Sequence, residues 1–386
     1  MCGIGGYVLP ALSCPEESIS EQLECIRYRG PDGNGEFAEE ADNSDFRICL
    51  GHVRLSIIDI EGGLQPMSDE EKRFTVVFNG EIYNYLELKD KLKLLGHRFS
   101  TESDTEVLLH SYMEWGSNLV EMINGQFSFV IWDSGSRSMF AARDHFGLKP
   151  FYYIEKDGGI IFASEIKAIR EISNQVFEFD ESVLPEYLRH RYVPNPKTMF
   201  RGVRKLPPGS YAQWDVENGL VISRYFEPLE LGIGKSDNYE SGDLVEEFNG
   251  LLESAVSRRM MSDVPFGAFL SGGLDSSTIV AKMSKISDLA VSTFSVGFED
   301  GEDSELEYSR RVADLFGCDH NELIIRAEDL PGHLEDLIHL RDAPISEPSD
   351  IPIFLLSKFA SSKVKMVLTG EGADEILGGY DKYYLE

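Results

Sequence analysis

Residues 268–277 read Ala268-Phe269-Leu270-Ser271-Gly272-Gly273-Leu274-Asp275-Ser276-Ser277. An apolar run stops at two glycines, an acid and two hydroxyls follow, and a helical pattern begins at Thr278. The spacing predicts a strand, a tight turn and a helix N-terminus. Paired glycines let the backbone come close to a ligand, and the first turn of a helix offers unpaired N–H groups to it. Ser271, Ser276 and Ser277 add hydroxyl donors, and Asp275 adds a hard oxygen ligand for Mg²⁺. The stretch suits a polyphosphate. It is not the GxxxxGK loop of P-loop proteins, because no lysine stands in it. A phosphate loop without that lysine suits release of pyrophosphate rather than transfer of a terminal phosphate. Ser-Gly-Gly alone is an ordinary turn; the strand before it and the helix after it point to a nucleotide.

Outward from this loop, helical periodicity covers Leu244–Met260 and Glu305–Phe316, and short apolar strands cover Val264–Leu270, Val291–Gly297, His320–Ile325 and Val364–Leu368. Strands alternating with helices argue for an α/β doubly wound parallel sheet. Its ligands would sit beyond the carboxyl ends of the strands. A second Gly-rich stretch, Thr369-Gly370-Glu371-Gly372-Ala373-Asp374-Glu375, leaves the last strand at that same end. By itself it would be an acidic surface loop.

A chain of 386 residues predicts two domains, and 42% apolar residues supply cores for both. The formal charge of −31 argues against nucleic acid or an anionic membrane as partner. A salt-rich habitat would produce the same excess. The cysteines are Cys2, Cys14, Cys25, Cys49 and Cys318, an odd count without a CxxC pair, so neither a disulfide frame nor a zinc knuckle is expected. A reducing cytoplasm follows as the default location. No apolar run reaches the ~18 residues of a membrane span, and the N-terminus lacks the basic and apolar regions of a signal peptide.

Met1-Cys2-Gly3-Ile4 opens directly into a strand. If Met1 is removed, the α-amine of Cys2 can act as base for its own thiol, so one residue supplies both nucleophile and base. Met-Cys alone is weak evidence, and a buried structural cysteine would account for it. Farther on, residues 26–33 form a turn cluster, and Cys49–Ile58 reads as a strand with Arg54 among apolar residues. Phe74–Phe78 runs into Asn79-Gly80-Glu81, Ser103-Asp104-Thr105-Glu106 opens a helix ending near Gly116, and hairpins turn at 133–136, 156–159 and Asn218-Gly219. A helix spans 181–191. Residues 228–243, rich in Gly, Ser and acid, mark a linker between domains at 2–227 and 244–386.

Taken in order, Cys2-Gly3-Ile4, RGPDG (29–33), RLSII (54–58), NGEIYN (79–84), SDTE (103–106) and RDHFGLKP (143–150) resemble the glutaminase domain of glutamine-hydrolysing asparagine synthetases. SGGLDSS (271–277), FSVGF (294–298) and TGEGADE (369–375) resemble the ATP-pyrophosphatase half of the same family. The resemblance implies an α+β N-terminal-nucleophile domain with an αββα layering, followed by the α/β nucleotide domain. It implies that Cys2 attacks the glutamine amide, with Asn79 and the Gly80 N–H as the oxyanion hole. Arg54 then pairs with the α-carboxylate, Asp104 and Glu81 hold the ammonium, and Leu55, Ser56, Ile57 and Ile58 belong to the same pocket. For ATP it implies Leu270, Ser271, Gly272, Gly273, Asp275, Ser276, Ser277, Val296, Thr369 and Gly370, with Val296 and Leu270 against the base. Glu371 supports acyl-adenylate formation, and Asp275 and Asp374 are the candidate Mg²⁺ ligands.

The implied activity is ATP-dependent amidation of aspartate by ammonia that passes internally from the glutaminase site, with small molecules as partners and a homodimer admissible. Three features depart from the family pattern. Tyr28 stands where many relatives have His, and Ala343 within Arg341–Pro348 stands where relatives often carry an acid. The altered segment motivates another acceptor, such as a uronic acid. A β-lactam-forming relative would not need Cys2 and the glutamine pocket. The chain also stops at Glu386, where relatives continue and supply a catalytic lysine. The second domain is therefore expected to be truncated, and residues 1–386 alone to hydrolyse glutamine with little amide product. A non-synthesising glutamine or nucleotide binder is the alternative of another class; the joint presence of Cys2, Arg54, Asn79, Asp104 and Glu371 argues against it.

Overall fold

A computed structural model describes residues 1–39, 46–228, 241–299 and 305–380. The chain divides into two units, Met1–Lys235 and Ser236–Glu386. Most of the expected 228–243 linker, residues 229–240, lies outside the described residues.

Unit 1 contains β1 (Gly3–Pro10), α1 (Ile19–Gln22), β2 (Gly33–Glu39), β3 (Phe46–Arg54), β4 (Met67–Ser68), β5 (Phe74–Ile82), α2 (Tyr85–Leu94) and α3 (Asp104–Trp115). It continues with β6 (Gly125–Asp133), β7 (Ser138–Arg143), β8 (Tyr152–Lys156), β9 (Gly159–Ala163), α4 (Ile166–Ser173), α5 (Leu184–His190), β10 (Arg204–Lys205), β11 (Ser210–Asp215) and β12 (Gly219–Arg224). Two six-stranded sheets result, ordered β10-β8-β9-β1-β3-β2 and β12-β11-β7-β6-β5-β4. Alternation along the strands decides the layering. Ile4, Val8, Leu50, Val77, Val130 and Trp214, drawn from both sheets, form one core between them. The residues of opposite parity face outward. Val76 and Phe78 pack with Leu88, Val107 and Leu108 of α2 and α3. Leu9 and Val53 pack with Ile19 of α1 and Ile169 of α4. The layers therefore run helix, sheet, sheet, helix.

Three local readings are corrected. Strand β3 stops at Arg54 rather than Ile58. The next amides leave the ladder: Leu55 gives its N–H to the Cys2 sulfur and Ser56 gives its own to Asp32 Oδ2. Residues 24–29 form a 3₁₀ helix where a turn cluster was expected. The helix at 181–191 divides into a 3₁₀ turn, Glu181–Val183, and α5.

Unit 2 contains α6 (Ser241–Arg259), β13 (Phe266–Phe269), α7 (Leu274–Ile286), β14 (Ser292–Phe298), α8 (Leu306–Phe316), β15 (Asp319–Ile325), α9 (Leu334–Arg341), α10 (Asp350–Ala360), β16 (Met366–Leu368) and α11 (Ala373–Leu377). Its sheet is parallel, ordered β15-β14-β13-β16. Val280 and Met283 of α7 and Ala313 of α8 cover one face, and Leu356 and Ala360 of α10 cover the other. Among the described residues no helix is long and apolar enough to cross a membrane.

The start of β1 is fixed by a buried hydroxyl: Ser164 Oγ accepts from Ile4 N–H at 3.0 Å, and Ser164 N–H donates to Ile4 O at 2.8 Å. Ser164→Ala is expected to strand the Ile4 N–H and lower stability by about 1–3 kcal/mol. In urea unfolding this should appear as a lower midpoint with an unchanged m-value.

Candidate active sites

The first candidate lies in unit 1, at the end of the sandwich where β1 begins and β3 and β5 end. Gly3 pairs with Val53, so the register extended by one step sets Cys2 opposite Arg54. Both share the parity of Ile4 and Leu50 and face the other sheet, as Asn79 and Glu81 do from β5 with the parity of Val77. A cleft there is lined by Cys2, Arg54, Leu55, Ile57, Ile58, Asn79, Gly80, Glu81 and Asp104. Ser56 is not on its wall; it is buried beside Asp32.

The floor of the cleft depends on an open strand edge. Strand β4 pairs only with Thr75 and Val76 of β5. Beyond it Phe78, Gly80 and Ile82 send their backbone groups to one side, because alternate residues of a strand share an edge. Gln65 Oε1 accepts the Phe78 N–H at 2.6 Å, and Asp104 Oδ2 accepts the Ile82 N–H at 3.0 Å. The Gly80 N–H between them is directed into the cleft. Asn79 is fully buried, and neither its Nδ2 nor its Oδ1 has a partner. A buried amide without partners signals a ligand site. Two adjacent donors of this kind can hold an oxygen that develops negative charge.

Arg54 is buried and held by the carbonyls of Ile60 at 2.7 Å and Asp59 at 2.6 Å. Its remaining N–H donors can take a carboxylate. Asp104 heads α3, whose cap is Ser103 Oγ accepting from Thr105 N–H. Burial, reinforced by the Glu81 charge, pushes the Asp104 carboxyl up to about 7, against the N–H bonds it accepts. Burial also pushes the Cys2 thiol up, although Leu55 N–H donates to the sulfur at 3.4 Å. The amine at the chain start is brought down to about 5, chiefly by burial. Such an amine is a free base at neutral pH. Arg29 Nε–H donates to the Cys2 carbonyl at 3.0 Å and its Nη1 to Glu165 at 2.7 Å. Tyr28 donates to the same Glu165 carboxylate, as does Lys167.

Lys149 also lines the cleft and was not singled out from the sequence. Burial lowers its ammonium pKa, while the Glu81 charge works in the other direction. The Arg143–Pro150 motif holds it in place. Arg143 donates to the carbonyls of Lys149, Gly147 and Leu206, and Asp144 accepts the N–H groups of Phe127, Phe146, Leu148 and Lys149. The arginine–aspartate spacing ahead of the lysine was the available signal. Gln65 was missed too, since nothing local shows which strand it will reach.

The second candidate lies in unit 2, where β13 meets β14 on one side and β16 on the other. This is a switch point in strand order, with loops 271–273 and 369–372 at the carboxyl ends. Gly272 has φ +84, and a Cβ there would come within 2.6 Å of Ser309 N. A Cβ on Gly370 would come within 2.8 Å of Ser276 N and 2.9 Å of Asp275 Cβ. The two Gly-rich loops are thus in contact, and only glycine permits it. Ser276 Oγ bonds to Ser271 Oγ at 2.9 Å, Gly273 caps α7, and the buried Ser277 Oγ has no partner. Thr369 and Glu371 are exposed and Asp275 and Asp374 half-buried. One expectation is corrected. Leu270 belongs to the core under α7 and Val296 packs against the core under α10, on opposite faces of the sheet, so their side chains do not lie together. Among the described residues no three acids, histidines or cysteines converge as a metal site. A cation here would take most of its oxygen ligands from bound phosphates.

Residues 1–226 match the family model described as "Glutamine amidotransferase domain", and residues 247–386 match "Asparagine synthase". The chain is 37% identical over 387 residues to Asparagine synthetase [glutamine-hydrolyzing] 1 of Bacillus subtilis, covering 99% of this chain and 59% of that protein. It is 37% identical over 399 residues to Putative asparagine synthetase [glutamine-hydrolyzing] 2 of Methanocaldococcus jannaschii, covering 98% and 76%. The chain therefore spans about three fifths of the Bacillus relative's length.

The Asp104 carboxyl has a stability consequence. Its pKa is about 7 folded against 3.8 as a free side chain. Between these values the folded state holds the proton that the unfolded state has lost, so stability falls as pH rises through the window. Asp104→Asn removes the penalty. The variant is expected to exceed the parent by about 2–4 kcal/mol above pH ~7.5 and to match it near pH ~4. Unfolding curves recorded across that range without substrate are the check; a gap that does not change with pH would contradict it.

Proposed function

The chain belongs to the glutamine-hydrolysing asparagine synthetase family, and from that membership we propose that it is an ATP-dependent amide ligase. Unit 1, an N-terminal-nucleophile hydrolase fold, hydrolyses glutamine, and unit 2, a doubly wound pyrophosphatase fold, uses the ammonia to amidate aspartate through an acyl-adenylate. The products are asparagine, glutamate, AMP and pyrophosphate. The observation that carries this reading is the cleft joining Cys2, Arg54 and Asp104 with the unpartnered amide of buried Asn79.

Arg54 takes the glutamine α-carboxylate, and Asp104 with Glu81 takes the ammonium. Once Met1 is removed, the Cys2 amine lies in surroundings that already bring the Met1 amine down to about 5. It is a neutral base at pH 7 and accepts the thiol proton, which overcomes the high pKa that burial imposes on Cys2. The sulfur adds to the side-chain amide carbon, and the Gly80 N–H and Asn79 Nδ2 receive the resulting oxyanion. The amine returns the proton to the departing nitrogen, ammonia leaves, and water cleaves the thioester to glutamate.

In unit 2, the helix start after Gly273 and the Ser277 hydroxyl hold the pyrophosphate part of ATP. Glu371 stands at the mouth as the group that supports adenylation. Asp275 and Asp374 would hold Mg²⁺ together with the phosphates, and such an ion supplies neutralisation of phosphate charge. In a chain of net charge −31 that local neutralisation is needed.

Two results are expected. Intact-mass measurement should show Met1 absent, and Cys2→Ala should abolish glutamine hydrolysis; retained Met1 in a chain that hydrolyses glutamine would overturn the mechanism. Asp275→Ala and Glu371→Ala should leave glutaminase turnover within about twofold of the parent while removing aspartate-dependent pyrophosphate release, assayed in a form of the protein that releases it. Loss of both activities from a folded variant would contradict the division of labour.

A further inference from the structure

We propose that Gln65 and His52 are positioning residues that hold the Phe78 backbone from two sides and thereby aim the oxyanion donors of Asn79 and Gly80. The inference deepens the glutaminase reading and rests on it. Phe78 lies past the end of β4, so its N–H and C=O have no strand partner on that edge. Both are satisfied by side chains. Gln65 Oε1 accepts the N–H at 2.6 Å, and His52 Nε2 lies 3.2 Å from the carbonyl. A carbonyl only accepts, so His52 carries its proton on Nε2. The ring is fully buried, and burial, with the Arg54 charge adding to it, brings its pKa down to about 3 against the bond to Phe78. It is neutral throughout the working range and acts as a fixed donor.

Geometry makes this more than local satisfaction. The Phe78 carbonyl and the Asn79 N–H belong to one rigid peptide plane. Rotation of that plane turns Asn79, and through it the next plane, which carries the Gly80 N–H. On the far side β6 holds Asn79 opposite Ser128. On the near side, among the described residues, these two side chains take the N–H and C=O of Phe78. Each is anchored to another part of the site. Gln65 Nε2 donates to Thr105 Oγ1 at 3.2 Å, in the first turn of α3 beside Asp104. His52 pairs through its backbone with Ile4 on β1, two residues along from Cys2. One ring therefore links the nucleophile's strand to the oxyanion strand across the two sheets. Misplacing a donor by a fraction of an ångström acts on the transition state more than on bound substrate.

The test is steady-state glutamine hydrolysis by the parent, His52→Phe, His52→Gln and Gln65→Met, with thermal melts as a folding control. In His52→Phe and Gln65→Met kcat should fall about ten- to a hundredfold with KM within about threefold. His52→Gln, which keeps a donor, should recover most of the loss. In an Asn79→Ala background His52→Phe should lower kcat by less than about threefold further, because one of the two donors it aims is then gone. Should His52→Phe fail to fold, Gln65→Met and His52→Gln carry the same comparison, Gln65→Met in the Asn79→Ala background included. Unchanged kcat in the folded variants, a parallel rise in KM, or the full loss repeated in the Asn79→Ala background would overturn the clamp while leaving the glutaminase reading intact. A parent that does not hydrolyse glutamine would overturn both.

Discussion

Strand β4 is two residues long, and much of the unit 1 site follows from that. A strand edge left unpaired inside a protein must find other partners, since a buried backbone amide without one is destabilising by about 1–3 kcal/mol. The fold supplies partners for Phe78 and Ile82 from Gln65 and Asp104, and directs Gly80 into the cleft. The open edge thus becomes a donor array of fixed spacing. It sits against the first residues of β1 because the two sheets stack with Cys2 and Asn79 on facing sides. Little about the cleft could change without disturbing either the edge or the stacking.

The same enclosure sets the charges. Asp104 and Lys149 are both driven toward their neutral forms by burial, and the amine at the chain start is driven the same way. These groups oppose folding rather than aid it, as functional groups often do. Their placement is held by backbone bonds instead of by ion pairing alone. Asp144 and Arg143 between them satisfy the loop that carries Lys149, and two carbonyls hold Arg54. A substrate with both a carboxylate and an ammonium supplies the opposite charges that such a site lacks. Unit 2 works differently. Its loops are open to solvent, their acids are half-buried or exposed, and the contact that orders them is backbone against backbone at Gly370.

Much of this was legible in the sequence. Residues 268–278 announce a strand, a turn and a helix, and the structure has β13, Gly273 as cap, and α7. Ser103-Asp104-Thr105-Glu106 announces a helix start, and Ser103 caps α3. These signals are local: a cap acts over three residues and an alternation over two or four, so the chain carries them wherever it folds. The groups that line the cleft, a thiol at position 2 with a cation, an amide and two acids, were also present in the order of the motifs.

What the sequence could not contain is set by groups far apart in the chain. Whether β3 continues to Ile58 depends on Asp32 and the Cys2 sulfur taking its amides. Whether Leu270 and Val296 share a face depends on which helix covers each side of the sheet. Lys149 and Gln65 enter the cleft because a loop and a strand edge are folded against them, and Asp104 is raised to about 7 only because water is excluded around it. Hydrogen-bond partners and desolvation are properties of what packs nearby. By itself the sequence determined the elements and the reactive groups; the tertiary structure decided which backbone amides remain unpaired and which charges lose their solvent, because both depend on neighbours brought together from distant parts of the chain.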